Sequence, residues 1–305
     1  MLFEDLKTLV AVMETNSLTG AAGALSLTQS AISRRIQSLE STLGAQLLDR
    51  ASKPPRPTAL AHRIYRHALP LLRDVRYLLD IPRGEATPSG TLRLGLTQLV
   101  ADVALAAIVA PMRAAFPALE LKIGTAWRDE LLAQLQAGQT DIATLMMPSP
   151  SVLPDGLQGT KVGSMPMLVV QSRRQRLVAS KTTLAALAEQ EWVLNPNGCA
   201  TRAALEGILA GHGKPLRLVA DTLGSDMQLA LVAEGLGLGL VSAAALRHSR
   251  HAAQLSAVRV ADFALTLDIW MIHPGQLGNL RKAAELLETA LRQALSGHAD
   301  KKPRG

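Results

Sequence analysis

Along the first fifty residues the aliphatic positions keep helical spacing. Leu2, Leu6, Leu9, Val10 and Met13 give a first helix one buried stripe. "TNS" at 15–17 interrupts it and offers side chains that can take up the free N–H groups of the next helix. That second helix, Leu18 to Leu25, is short and rich in Ala and Gly, so another helix can approach closely. In a third, Ile32, Ile36, Leu39 and Leu43 follow at steps of four, three and four, within about 60° of one another around the axis. Its far side carries Ser30, Ser33, Arg34, Gln37, Ser38 and Ser41, with Arg35 nearer the apolar edge. The three prolines of "LLDRASKPPRPT", 47–58, cannot continue the helix and predict an extended loop carrying Arg50, Lys53 and Arg56.

Thr58 can cap a fourth helix running to about Ile81. There Ile64, Ala68, Leu71, Val75 and Leu78 alternate steps of four and three, the spacing of a coiled-coil seam, with a kink expected at Pro70. "RGEATPSGT", 83–91, reads as a hinge and the clearest domain boundary. Beyond it "TLRLGL", an apolar helix to Phe116, "LELKIG", a helix at 128–137 and "DIATLM" make a βαβα rhythm, which argues for a mostly parallel sheet covered by helices. A second round starts at "MPMLVVQS" (165–172) and passes through "EWVLNP", a helix from Thr201 to Gly211, "RLVA", a helix to Glu234 and "GLGLGLV". "LTLDIWMIHP" (265–274) and a last helix, Asn279 to Ser296, follow, and the tail 297–305 is expected to be disordered. The glycines at 235, 237 and 239 follow a helix and open a strand, the reverse of a dinucleotide fingerprint, so no cofactor is expected there.

Length and composition narrow the class. A chain of 305 residues suits two or three domains. A net charge of +7 favours an anionic partner only weakly. The start, "MLFEDLKTLVAVMET", has acids where a signal peptide needs basic residues. The most apolar stretch, from Leu99, holds Asp102 and Pro111 and is short for a bilayer span. One cysteine, Cys199, excludes an internal disulfide. The expectation is a soluble cytoplasmic protein with no membrane partner.

The polar face of the third helix changes this picture. Solvated helix faces usually carry Glu and Lys at pairing distances; this one carries short hydroxyls, a Gln and an Arg. Short side chains let a backbone sit deep in a groove, while Arg and Gln make forked hydrogen bonds to base edges. The basic proline-rich loop suits phosphate contacts, which position without reading sequence. At "SLTGAAGALSLTQSAISRRIQSLESTLGAQLLDR" the chain resembles the winged helix-turn-helix of the LysR-type transcriptional regulators, matching at Ala21, Ala22, Leu25, Gln29, Ser33, Ile36, Leu39, Glu40, Leu43, Gly44, Leu47 and Arg50. It departs from the family pattern at Ser30 (usually Pro), at Leu48 (usually aromatic) and at 58–61.

The resemblance implies an α/β fold with an all-α N-terminal part. A winged helix-turn-helix DNA-binding domain (1–58) would be followed by a linker helix and hinge (59–89) that makes a homodimer. A two-lobed, periplasmic-binding-protein-like (type 2) effector domain would follow, with lobe I at 90–163 and 272–296 and lobe II at 164–271. Promoter DNA, a small anionic effector, a second copy in a dimer or tetramer, and RNA polymerase are the implied partners. Gln29, Ser30, Ser33 and Arg34 would face bases, Thr28, Arg50, Lys53 and Arg56 would hold phosphates, and Gln37 belongs to the same DNA-binding face.

For the effector, loops at strand ends and helix N-termini are the places where exposed N–H groups favour anions. Thr97 and Gln98 lie in one such loop. Asn197, Cys199, Thr201 and Arg202 lie in another, where Arg202 can fork onto a carboxylate. Trp127 is a candidate wall residue, and Ser225 opens a further helix.

Other classes have less to stand on. His248 and His251 lack partners for a zinc site, and no Ser-His-Asp order or nucleophile elbow appears, so neither a metal nor an enzyme is expected. A solute-binding protein does not account for residues 1–60. A DNA-binding regulator sensing redox state through Cys199 stays as the alternative, with Arg202 as a source of positive charge. Replacing Arg34→Ala should cost roughly 1–3 kcal/mol of operator binding and relax sequence preference, whereas Lys53→Ala should weaken binding to all DNA alike. Footprinting of Arg34→Ala that matched wild type would refute the assignment of the polar face.

Overall fold

The computed structural model describes residues 2–52, 54–80, 87–154 and 156–299. The chain divides into two compact units, residues 1–86 (with 134–139) and 87–133 with 140–305. Lys53, the first four residues of the predicted hinge (83–86) and residues 300–305 lie outside the described residues.

The first unit contains helices α1 (Leu2–Thr15), α2 (Leu18–Ala24) and α3 (Gln29–Leu43), a two-stranded wing of β1 (Leu48–Asp49) and β2 (Arg56–Pro57), and the long helix α4 (Ala59–Asp80). Ser17 Oγ accepts from the Gly20 N–H at 3.1 Å to start α2. Thr58 Oγ1 accepts from the Ala61 N–H at 3.2 Å to start α4. Helix α3 ends at Gly44, whose φ of +63° is a left-handed conformation that glycine adopts without strain. Leu9, Ile32, Ile36, Leu39, Leu47 and Ala61 are buried in one core. Helix α4 runs through Pro70. Of its expected seam, Ala68 is buried, while Leu71 and Leu78 are 51% and 64% exposed.

The second unit opens with β3 (Gly90–Leu96), α5 (Gln98–Ala115), β4 (Leu119–Thr125), α6 (Arg128–Gln136) and β5 (Ile142–Pro148). Next come β6 (Gln158–Ser172), β7 (Lys181–Thr182), α7 (Leu184–Ala188), β8 (Glu191–Leu194), α8 (Ala200–Gly211), β9 (Arg217–Asp221) and α9 (Ser225–Ala233). The chain closes with β10 (Gly239–Ser242), α10 (Ala243–His248), β11 (Leu255–Val260), β12 (Leu265–His273) and α11 (Arg281–Ala299). Helix α5 is long and apolar enough to cross a membrane by length and composition; here Val100, Ala104, Ile108 and Met112 are buried in the core beside the sheet and α11.

The strand order is β4-β3-β5-β12-β6-β11-β7, with β10 also on β6 and β8 paired to β9. Pairs β3–β4, β3–β5 and β8–β9 are parallel. In contrast, β12 runs antiparallel to β5 and β6, and β10 and β11 run antiparallel to β6. The mostly parallel sheet expected from the βαβα rhythm is therefore mixed, because β12 returns antiparallel between β5 and β6, and β6 goes on to carry β10 and β11 antiparallel. Strand β6 begins at 158, not 165. It pairs with β12 as far as Met167, then with β10 and β11 over 167–172. Strands β7 and β11 were not expected. The last helix starts at Arg281 after a 3-10 turn and extends to Ala299, into the predicted tail.

A buried polar cluster fastens these crossing strands. Asp268 on β12 has 2% of its side chain exposed and pairs with Lys161 Nζ of β6 at 2.7 Å. It also accepts from Ser164 Oγ at 2.9 Å and Ser151 Oγ at 3.1 Å, and Trp270 Nε1 donates to Ser151 Oγ at 2.9 Å. Burial pushes the Asp268 carboxyl up, but hydrogen bonds from Lys161, Ser164, Ser149 and Ser151 outweigh it and hold the group at about 2, below its ordinary 3.8. A depressed carboxyl stabilises the fold above its unfolded value and loses that contribution as pH falls through the folded one. Asp268→Asn should therefore lower stability at pH 7 by on the order of 2 kcal/mol. It should also flatten the dependence of the urea midpoint on pH between about 4 and 2; an unchanged profile would refute this role.

Candidate DNA-binding face and effector cavity

In the first unit, α3 turns its apolar stripe inward and leaves Gln29, Ser30, Arg34 and Gln37 exposed, with Ser33 half-buried. None of Gln29, Arg34 and Gln37 has a partner among the described residues. Thr28 caps the helix, its Oγ1 accepting from the Ala31 N–H at 3.2 Å and lying 3.0 Å from Ser30 Oγ. Ser30 thus extends the cap where the family pattern has proline. Ser38 leaves the predicted polar face, donating to the buried Asp5 carboxylate at 2.9 Å. Arg35 pairs with Glu4 at 3.4 Å.

Glu40 is the residue that sequence reasoning noted only as a match. Its side chain, 12% exposed, accepts from the Leu47 and Leu48 N–H groups at 2.8 and 3.1 Å and from Arg50 at 3.0 Å. The carboxylate thereby seats the wing against α3, and Arg50 gives part of its guanidinium to that contact. Arg56 is exposed on β2 opposite Asp49. Backbone and side-chain hydrogen bonds from Ala51 and Ser52 hold the Asp49 carboxyl below its ordinary range.

In the second unit, a cavity of about 60 Å³, open to solvent in part, lies where the strand ends meet the helix starts. Thr97, Gln98, Trp127, Cys199, Thr201 and Ser225 line it, as do Arg128, Asn195, Gln228, Ser242 and the apolar Met146, Met167 and Leu267. Among the described residues no carboxylate lines it. Helices α5, α6, α8 and α9 all begin on its wall, and the first-turn N–H groups of a helix have no intrahelical acceptor. Thr97, Cys199 and Gly224, the residues capping α5, α8 and α9, make no side-chain cap. Four positive helix ends converging on one space favour an anion.

Three buried polar atoms on this wall lack a partner: Thr97 Oγ1, Arg128 Nε and Gln228 Oε1. The Gln228 amide has a defined orientation, because its Nε2 donates to the Val193 carbonyl at 2.9 Å and reaches the Leu240 carbonyl at 3.5 Å. Flipping it would set oxygen against two carbonyls. Cys199, 8% exposed, has its Sγ 2.9 Å from Thr201 Oγ1.

Asn197 and Arg202 are not among the lining residues. Arg202 Nε donates to Glu206 one turn along α8 at 2.8 Å, which satisfies the charge that sequence reasoning reserved for a ligand. Asn195 takes the expected place of Asn197, its Oδ1 accepting from the Gly224 N–H at 3.1 Å. Arg128 was missed because, read alone, it is an ordinary first-turn arginine.

Residues 3–62 match the family described as "Bacterial regulatory helix-turn-helix protein, lysR family", and residues 85–295 match "LysR substrate binding domain". The chain belongs to the LysR family of transcriptional regulators. As such it is a DNA-binding regulator with an effector-binding domain. It is 30% identical over 243 residues to the HTH-type transcriptional regulator IlvR of Caulobacter vibrioides, covering 79% of this chain and 82% of that one. It is 36% identical over 149 residues to the hydrogen peroxide-inducible genes activator of Dickeya chrysanthemi, 48% of each. Full-length CbnR, solved in complex with its target DNA, superposes with a TM-score of 0.62 at 21% identity, covering 96% of this chain and all of that one.

The wing contact is open to test in this LysR family member. Glu40→Ala removes the acceptor of two backbone N–H groups and should cost roughly 1–3 kcal/mol in urea unfolding. DNA affinity by fluorescence anisotropy should fall with it, and a variant with both values unchanged would rule out Glu40 as the anchor of the wing.

Proposed function

We propose that this regulator senses a small molecule bearing a carboxylate in the cavity of its effector unit, and that binding alters how its α3 helices engage DNA. The convergence of four helix starts, three of them without a side-chain cap, with the unpartnered Arg128 Nε, on a wall without carboxylates among the described residues, carries this reading. Thr97 and Thr201 hydroxyls can donate to the same anion, and Gln228 Oε1 calls for a hydrogen-bond donor on the ligand. Met146, Met167 and Leu267 suit an apolar body. The cavity lies where β6 changes partners, so a ligand that prefers one lobe angle shifts the population of states without any chemical step.

In this reading Gln29, Ser30, Ser33, Arg34 and Gln37 read bases, while Thr28, Arg50, Lys53 and Arg56 hold phosphates. The exposed Leu71, Leu78 and Leu79 of α4 support pairing with a second copy. RNA polymerase is the partner that a promoter-bound regulator would address.

A redox reading has one observation in its favour: the chain's lone thiol, Cys199, lines the same cavity. The two readings separate in one experiment. Short carboxylates such as lactate and benzoate, with their amides as controls, are titrated while the thermal midpoint and DNA affinity are followed. Stabilisation by a carboxylate but not its amide, reduced tenfold or more in Arg128→Ala and kept in Cys199→Ser and Arg202→Ala, is the expected result. A response to hydrogen peroxide alone, lost in Cys199→Ser, would replace the carboxylate reading with the redox one.

A further inference from the structure

Two stretches of the effector unit, 156–188 and 235–261, contain no Asp or Glu. At the chain's average these sixty residues would hold about five carboxylates; they hold eight Lys and Arg instead. Lys161 is neutralised by Asp268 and Arg247 has a partner. The other six are Arg173, Arg174, Arg176, Lys181, Arg250 and Arg259. All are exposed, and none is in an ion pair among the described residues.

The fold brings these two stretches together. The loop from β6 to β7 starts against the beginning of β11, with the Arg173 N–H on the Gln254 carbonyl at 2.8 Å and Arg173 Nε on the Leu255 carbonyl at 2.6 Å. Gln171 Oε1 folds the loop back by accepting from the Leu177 and Val178 N–H groups at 3.0 and 3.1 Å. The loop ends with Lys181 directly opposite Arg259 in the β7–β11 pairing. Arg250 sits one turn before Gln254, which donates to the His251 carbonyl at 2.9 Å. The six cations therefore follow one outer edge of the sheet. Four carboxylates bound the two stretches: Glu189 pairs with Lys214, Asp262 accepts from the Leu184 N–H, Glu234 stands at the border, and Asp155 lies outside the described residues.

We propose that this edge is a second nucleic-acid surface, which grips the phosphate backbone of DNA outside the sites read by α3. Five of the six cations are arginines, whose planar fork matches a phosphate in two hydrogen bonds. A protein partner would need an apolar centre, and the exposed large apolar side chains in these stretches are only Leu177 and Leu236. The regulator is already held on DNA by its first unit, so weak contacts from the second act at high effective concentration.

The test uses the full chain with Arg174→Ala, Arg176→Ala and Lys181→Ala combined, and random-sequence duplexes of about 20 and about 120 bp. On the long duplex the slope of log affinity against log salt should become shallower by about 2 to 3, with affinity at low salt down tenfold or more. On the short duplex it should not change, and replacement of the same three residues by charge-conserving Lys or Arg should restore the slope. Arg34→Ala, by contrast, changes sequence preference without flattening the long-duplex slope by that amount, so a failed α3 assignment is distinguishable. Equal slopes for variant and wild type on the long duplex would overturn the proposal. In that case, lost transcription activation in vitro would point to an acidic protein partner, and normal activation to charges that merely block strand addition at a sheet edge.

Discussion

Strand β6 is long enough to pair with β12 along its first part and with β10 and β11 along its second, and the effector unit is arranged around that fact. A strand that changes neighbours midway cannot be covered continuously by one layer of helices. A gap opens where β12 gives way to β10 and β11, near Met167. The helices that flank the gap start there because each follows a strand that ends there. The cavity and its positive potential thus share one origin in topology. The Asp268 cluster joins β12, β6 and the segment after β5 three residues before that change of partners on β6.

The first unit solves a different problem with a similar device. A wing of two-residue strands has little hydrophobic area of its own. Its backbone is satisfied instead by one nearly buried carboxylate, Glu40, projecting from α3. Helix α3 and the wing are consequently tied together by one side chain, and Gln29, Arg34 and Gln37 on the polar face of α3 have no partner among the described residues. Ser38 and Arg35 show how close that separation is, since neighbouring residues on the same helix are taken up by Asp5 and Glu4.

Electrostatics divides the labour between cavity and surface. Inside, helix ends and one arginine face a wall on which no described residue is a carboxylate, the surroundings the proposed anion would meet. Outside, the arginines stand on a sheet edge, where solvent screens each charge and only their number would give the proposed grip. Both depend on where carboxylates are absent, which is a property of neighbours in space as much as of composition.

Local periodicity determined a great deal about this protein: the three short helices, the inward face of α3, the cap at Thr58, and the strands β3, β4, β5, β8 and β12. These depend on spacing within a few residues, which the chain carries openly, and the LysR motif rests on the same local pattern. Only the tertiary structure decided that Arg128 faces the cavity, that Asn195 rather than Asn197 lines it, and that the sheet is mixed. Strand β11 escaped notice because its six residues find their meaning only beside β6, far away along the chain. Which charge is satisfied and which is left open depends on partners that folding brings together, and no pattern of nearest neighbours records that choice.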